Sequence, residues 1–166
     1  MPLDLPNHCE VFVDANIFVY HFCGPTIFTD SCMQFLQRVE EGGLSAFTST
    51  LVLAETLHRM MIIEAATKLQ IEPKIAVHHL KTHPNDVKKL EEHLSAPDRI
   101  RNMGVRILPT DFDDIVKSAE IKTTCGLLTN DAITIALMKR HQLRNIATND
   151  PDFERVSDLT VWKPAS

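Results

Sequence analysis

Glycine is scarce in this chain, five in 166 residues. None stands between the first apolar run and the segment after it, so no glycine-rich phosphate loop is present and a nucleotide-binding switch is disfavoured. The same scarcity, with a hydrophobic fraction of 44%, argues against a disordered or low-complexity chain. The four cysteines, Cys9, Cys23, Cys32 and Cys125, form no Cys-x-x-Cys pair, which removes the zinc knuckle and the thiol redox motif. Reduced, mostly buried thiols are expected instead. No apolar run approaches the ~20 residues of a membrane span, and Met1–Asn7 lacks the charged-then-apolar order of a secretion signal. The expectation is a cytoplasmic protein with no membrane attachment, folded as one domain over residues 1–166. Positive charge is also short: 17 Lys and Arg against 22 Asp and Glu leave a net −5, which argues against a generally basic coat for nucleic acid. A local grip on a polyanion stays open, because acids committed to a cation count in that sum and the cation reverses their field.

What is present is a set of acids in unusual places. Asp14 ends the strand-like run Glu10–Val13, and Glu55 interrupts the greasy stretch Leu51–Leu57. Asp131 opens the run Ala132–Met138, and Asp150 follows Asn145–Thr148. An ionised carboxylate is costly to bury alone, so acids set against core segments call for a compensating cation. Clustered hard oxygen donors suit Mg²⁺ or Mn²⁺ rather than zinc.

Apolar patterning places strands at Val11–Val13, Leu44–Thr48, Val105–Leu108, Arg144–Thr148 and Leu159–Trp162. Between them it places a helix capped by Thr29 or Asp30 and stopped at Gly42-Gly43. A long helix capped by Ser49 or Thr50 runs to about Gln70. A charged helical stretch, Lys74–Leu94, breaks at His83-Pro84. Further helices follow, capped by Thr110 and by Thr129 or Asn130. Alternating strands and helices predict an α/β fold around a mainly parallel sheet flanked by helices. Ligands of such sheets bind beyond the carboxyl ends of the strands, where strand order reverses. Asp14 and Asp150 both lie there.

Each acid alone has an ordinary explanation. Asp14 could make an Asx turn, and Glu55 could pair with Arg59 four residues on. Asp131 could merely complement a helix dipole, and Asp150-Pro151 is a common helix opening, with Asp152 a second dipole-complementing acid. His79 and His83 have helical ligand spacing but no third partner. His21, His58, Lys139, Arg140 and Arg144 could contact a nucleic acid, or serve as solvated and helix-capping side chains.

Together, Val13–Tyr20, Ser49–Thr56, Leu128–Leu137 and Ile146–Phe153 resemble the PIN-domain ribonucleases, particularly the VapC-type toxins of prokaryotic toxin–antitoxin pairs. The segments match in order and approximate spacing, and residues 73–103 stand out as a longer, charged helical insertion. The resemblance implies that Asp14, Glu55, Asp131 and Asp150 form the family's acidic quartet. Asp152 falls on an additional acidic position, and Asn16 and Thr148 fall on small polar positions that hold the acids and water. It further implies one or two Mg²⁺ or Mn²⁺ ions, an RNA substrate, a homodimer, and a small antitoxin covering the acidic groove. Such an inhibitor would carry a basic side chain into the acids.

The residue types suit that chemistry, since carboxylates hold a divalent ion that activates water and no serine or cysteine nucleophile is needed. A magnesium phosphatase with an aspartyl nucleophile fits less well, because Ala-Asn follows Asp14 in place of a second acid. A PIN-fold interaction module without activity and a non-toxin PIN ribonuclease are the remaining readings. The consecutive Met60, Met61, Ile62 and Ile63 project all round their helix, which predicts that a second copy buries some of them.

Overall fold

The computed structural model describes Met1–Ser166. Five short strands carry the sheet: β1 (Glu10–Val13), β2 (Ser45–Ser49), β3 (Arg106–Leu108), β4 (Asn145–Ala147) and β5 (Thr160–Trp162). Their order is β3-β2-β1-β4-β5, and every neighbouring pair is parallel. The mainly parallel sheet expected from the alternation of elements is therefore wholly parallel. Side-chain alternation divides two cores across it. Val11, Val13, Ala46, Ala147 and Trp162 face one, with Phe18, Phe35, Leu36 and Ile100. Phe12, Phe47, Ile146 and Val161 face the other, with Ile121, Ile135, Leu137 and Phe153.

The helices on the first face include α1 (Ala15–Phe22) and α2 (Thr29–Glu40). The long α3 (Thr50–Leu69) begins directly after β2. The segment after α3 contributes α4 (Pro73–Thr82), α5 (Pro84–Val87), a 3-10 turn (Glu92–Ser95) and α6 (Ala96–Asn102). On the second face lie α7 (Phe112–Cys125) and α8 (Thr129–Arg140), with a 3-10 turn at Pro151–Arg155. No helix is long and apolar enough to cross a membrane.

The chain steps outward from β1 to β2 and β3, then returns to the other side of β1 for β4 and β5. Strand order thus reverses between β1 and β4, the position beyond the carboxyl ends where such sheets bind their ligands.

Several caps differ from the sequence reading. Ser49 does cap α3, accepting from Val52 N–H at 3.1 Å. Thr29, however, lies inside α2, which starts after Phe28 without a side-chain cap. Its hydroxyl accepts from Thr26 N–H and donates to the Tyr20 carbonyl, pinning the preceding loop to α1. Asp111, not Thr110, caps α7, because Asp114 three residues on completes a reciprocal capping box. Leu128 precedes α8, and the Thr129 hydroxyl accepts from Lys122 instead.

The apolar argument for a partner on α3 is also overturned. Met60 is buried with Val19 and Ala96. Met61 and Ile62 pack against Ala65, Ala76, Leu80 and Leu90, and Ile63 packs with the Met60 group. The segment 73–102 packs on the Met60–Ile63 stretch of α3, burying Met60 and half-burying Met61, Ile62 and Ile63. Glu64 fastens this packing: its buried carboxylate accepts from the backbone N–H groups of Glu91 (2.8 Å), Glu92 (3.2 Å) and His93 (3.4 Å), and pairs with Lys68 and the His93 ring.

Candidate active site

Asp14 stands at the β1–β4 reversal, as the residue that ends β1 and caps α1. Its Oδ1 accepts from Ala15 N–H at 2.7 Å. Its Oδ2 accepts from the Asn16 side-chain amide and from the Thr148 hydroxyl. The Asn16 amide also donates to Thr148 Oγ1 at 2.9 Å, while Asn16 Oδ1 accepts from Asn149 N–H at 3.0 Å. The two small polar residues singled out in the sequence therefore do hold Asp14 and tie β1 to β4. Burial pushes Asp14 up to about 6; the hydrogen bonds from Thr148 and Ala15 oppose this and the charge of Glu55 adds to it.

Asp131 enters from the first turn of α8, half-buried, and no protein group donates to its carboxylate. Burial first, and then the charges of Asp150, Asp14, Glu55 and Asp152, push it up to about 6. The charges of Glu55, Asp150 and Asp152 thus act on the same carboxyl as Asp14 does. The five are drawn from four separate places in the chain. Asp150 caps the 3-10 turn after β4, its Oδ1 accepting from Asp152 N–H at 2.9 Å. Asp152 pairs with Arg155 at 2.8 Å. Glu55 lies on α3, its side chain partly exposed and 3.8 Å from Arg59.

Two groups escaped the sequence reading. Asn149 donates its backbone N–H to Asn16 and its side-chain amide to Tyr20 Oη; its place between Thr148 and Asp150 was the only available signal. Arg59 was weighed there only as an ordinary helical partner of Glu55, yet its charge also reaches Asp14.

The donor set suits a hard cation, being all oxygen with no sulfur or imidazole among its members. No three His, Cys, Asp or Glu side chains stand as a ready-made ligand group, so the acids neighbour one another without closing into a shell. Mutual repulsion accounts for that spacing, and several carboxylate oxygens keep free lone pairs. His79 and His83 do not form a second centre: their rings stack 4.2 Å apart and His79 is engaged with Asp86. Arg140 is committed to Asp114 through two hydrogen bonds, a structural role different from the helix-capping one weighed for it above. A hollow of 540 Å³ lined by Lys139, Gln142, Arg144 and Asp158 lies by the amino ends of β4 and β5, away from these acids.

Known proteins share this fold. The chain is similar to ribonuclease VapC2 of Methanocaldococcus jannaschii, with 27% identity over 152 residues, covering 92% of each chain. The fold is shared with VapBC2 from Rickettsia felis, solved bound to a DNA fragment from their promoter (TM-score 0.62, 18% identity, 94% of this chain and 99% of that one). It is also shared with VapC20 of Mycobacterium tuberculosis, a sarcin–ricin loop cleaving toxin (TM-score 0.60, 15% identity, 89% and 95% covered). The PIN domain model matches residues 11–159, from the first strand to the last connection, and the chain therefore belongs to the PIN domain family.

Proposed function

We propose that this protein is a metal-dependent endoribonuclease of the VapC type, the toxin of a toxin–antitoxin pair. The observation that carries this reading is Asp14 held by Asn16 and Thr148 at the β1–β4 reversal, with four further carboxylates whose charges reach it or Asp131. That set has the chemistry to bind a divalent cation, on a fold shared with a named ribonuclease and a named RNA-cleaving toxin.

Asp14, Glu55, Asp131 and Asp150 would hold Mg²⁺ or Mn²⁺, with Asp152 at the margin. Bound there, the ion supplies an acidified water and charge neutralisation at the phosphate. The protein's own contribution is positional. Asn16 and Thr148 fix the rotamer of Asp14, so that one oxygen is spent on the scaffold. Glu55 and Asp131, which receive no hydrogen bond from the protein, are free to turn toward a cation or to accept a proton from water. No side chain has to form a covalent bond with the substrate.

Two partners belong to this reading. A small antitoxin would set a basic side chain among the acids, and inhibition would then compete with metal binding. A second copy of the chain would pack on α7, where Phe112, Ile115 and Val116 are 75%, 51% and 55% exposed.

The test is cleavage of RNA by purified protein in Mg²⁺ or Mn²⁺, with and without EDTA, beside Asp14→Asn. Cleavage that survives chelation, or that persists in the variant, defeats the metal mechanism. No cleavage under any condition defeats the ribonuclease reading. Co-expression with a short neighbouring reading frame tests the toxin role: a product that neither copurifies nor inhibits leaves an unpaired nuclease.

A further inference from the structure

Arg155, beside the site acids, is already committed: it donates to the Gly126 carbonyl at 2.9 Å and pairs with Asp152. Arg59 is different. It stands one turn beyond Glu55 on α3, with a side chain 40% exposed, and approaches Glu55 no closer than 3.8 Å. That distance lies outside N–H···O hydrogen-bond length, so charge alone joins the two. On the same helix Lys68 closes to 2.8 Å on Glu64, which shows what a formed pair at this spacing looks like. No acceptor in the protein takes any of the five N–H donors of Arg59.

The charge balance of the site calls for such a group. Five carboxylates outnumber the positive charges of even two divalent ions, and an RNA phosphate adds more negative charge. A polyanion entering this site needs a further cation beside the acids, with donors unspent. A guanidinium fits best, because its fork matches two phosphate oxygens at once and it stays protonated throughout.

The geometry points to Arg59 as the catalytic residue that takes the scissile phosphate, donating two hydrogen bonds to its non-bridging oxygens. This rests on the ribonuclease reading. In the step itself, a water oxygen bonds to phosphorus as the bond to the leaving ribose oxygen breaks. The water's proton passes to a carboxylate, and the leaving oxygen takes a proton from solvent. Arg59 gives up no proton; it stabilises the charge that builds on the phosphoryl oxygens. Glu55 exchanges partners in the same event. While Glu55 faces Arg59 the pair is loose and solvent-screened, and when Glu55 turns to a cation the guanidinium is released to the phosphate.

Arg59→Ala and Arg59→Lys, assayed for cleavage of single-stranded RNA at saturating Mn²⁺, test this together with calorimetric Mn²⁺ binding in the absence of RNA. The expected result is a fall in kcat of about a hundredfold for Arg59→Ala, the usual loss of one charge-stabilising donor. Arg59→Lys keeps the charge without the fork and should fall between. Mn²⁺ should bind Arg59→Ala as tightly as wild type or more tightly, because a repelling charge has gone. Unchanged kcat in Arg59→Ala overturns the inference. So does a parallel loss of Mn²⁺ affinity with the rate restored by excess metal, since Arg59 would then serve only to hold Glu55. Wild-type protein that cleaves no RNA overturns the ribonuclease reading itself, and this inference with it.

Discussion

Thr148, just beyond β4, donates its hydroxyl proton to Asp14, just beyond β1, across 2.7 Å. The direction of that bond is forced. A hydroxyl has one proton and two acceptor sites, and Thr148 Oγ1 already accepts from the Asn16 amide at 2.9 Å and from Asp150 N–H at 3.0 Å. Its proton has nowhere else to go, so Thr148 favours the ionised form of Asp14. Thr148→Val preserves the shape and removes all three interactions. It should raise the Asp14 pKa further above about 6 and move the acid limb of the pH–rate profile upward. It should also destabilise the fold by roughly 1–3 kcal/mol through the orphaned N–H groups. Thr148→Ser should behave nearly as wild type. An acid limb unmoved in Thr148→Val would remove Thr148 from the control of Asp14.

Asp131 gives a cleaner view of the cost of assembling the acids, because no protein hydrogen bond complicates its replacement. Its carboxyl is raised from 3.8 to about 6, by burial and then by the charges around it. A raised folded-state pKa contributes stability below the unfolded value that is lost as pH rises through the folded one. In chelator, Asp131→Asn should therefore be more stable than wild type at pH 8, by at most about 3 kcal/mol before screening at this half-buried position is discounted. The two should converge below about pH 4, near the unfolded-state value. Mg²⁺ should raise the Tm of wild type more than that of the variant. A variant less stable than wild type at pH 8 would mean that the acids do not repel one another.

The sheet was legible because buried parallel strands announce themselves as short apolar runs, and all five expected runs became strands within a residue or two. Ser49 was legible as a cap because its hydroxyl has a local target. Thr110 was misread because the competing cap, Asp111, acts through a second acid three residues on. Of the site, Asp14 and Asp150 were readable from two strand ends that the topology makes neighbours, whereas Asn16 and Thr148 were legible only through the family resemblance. The covering of Met60–Ile63 was not readable, since nothing local in Lys74–Leu94 indicates that it folds back on α3. Nor was the open state of Arg59, because an (i, i+4) spacing says that two side chains can meet and not whether they do.

Glu64 offers a test of whether the segment 73–102 is part of the same cooperative unit. Burial would raise its pKa, but hydrogen bonds from Lys68, His93 and the Glu92 and Glu91 backbone outweigh that and hold it down to about 2. A depressed carboxylate contributes stability above the unfolded pKa of about 4.5 that is lost as pH falls toward 2. Glu64→Leu leaves several buried donors without a partner and should cost about 3–5 kcal/mol. Glu64→Gln keeps one acceptor and should cost less, with the difference from wild type shrinking as pH falls below 4.5. Urea unfolding of both variants should stay a single transition. Separate loss of the 73–102 segment, seen as early proteolysis with the remainder still folded, would make it an independent appendage.

With Met60–Ile63 packed by their own chain, the homodimer proposed above would use another surface, and α7 is the candidate. Phe112, Ile115 and Val116 are exposed and, with Ala119, form a stripe at helical spacing along its outer face. The stripe suits a second copy because it is apolar and exposed along one face of the helix, and isologous packing of two such faces is a common route to closed dimers. Ile115→Glu and Val116→Glu each place a charge in that apolar contact and should convert a dimer into a folded monomer by light scattering. Wild-type protein that is already monomeric at micromolar concentration would rule the α7 interface out. A dimer that both substitutions leave intact would place the contact elsewhere.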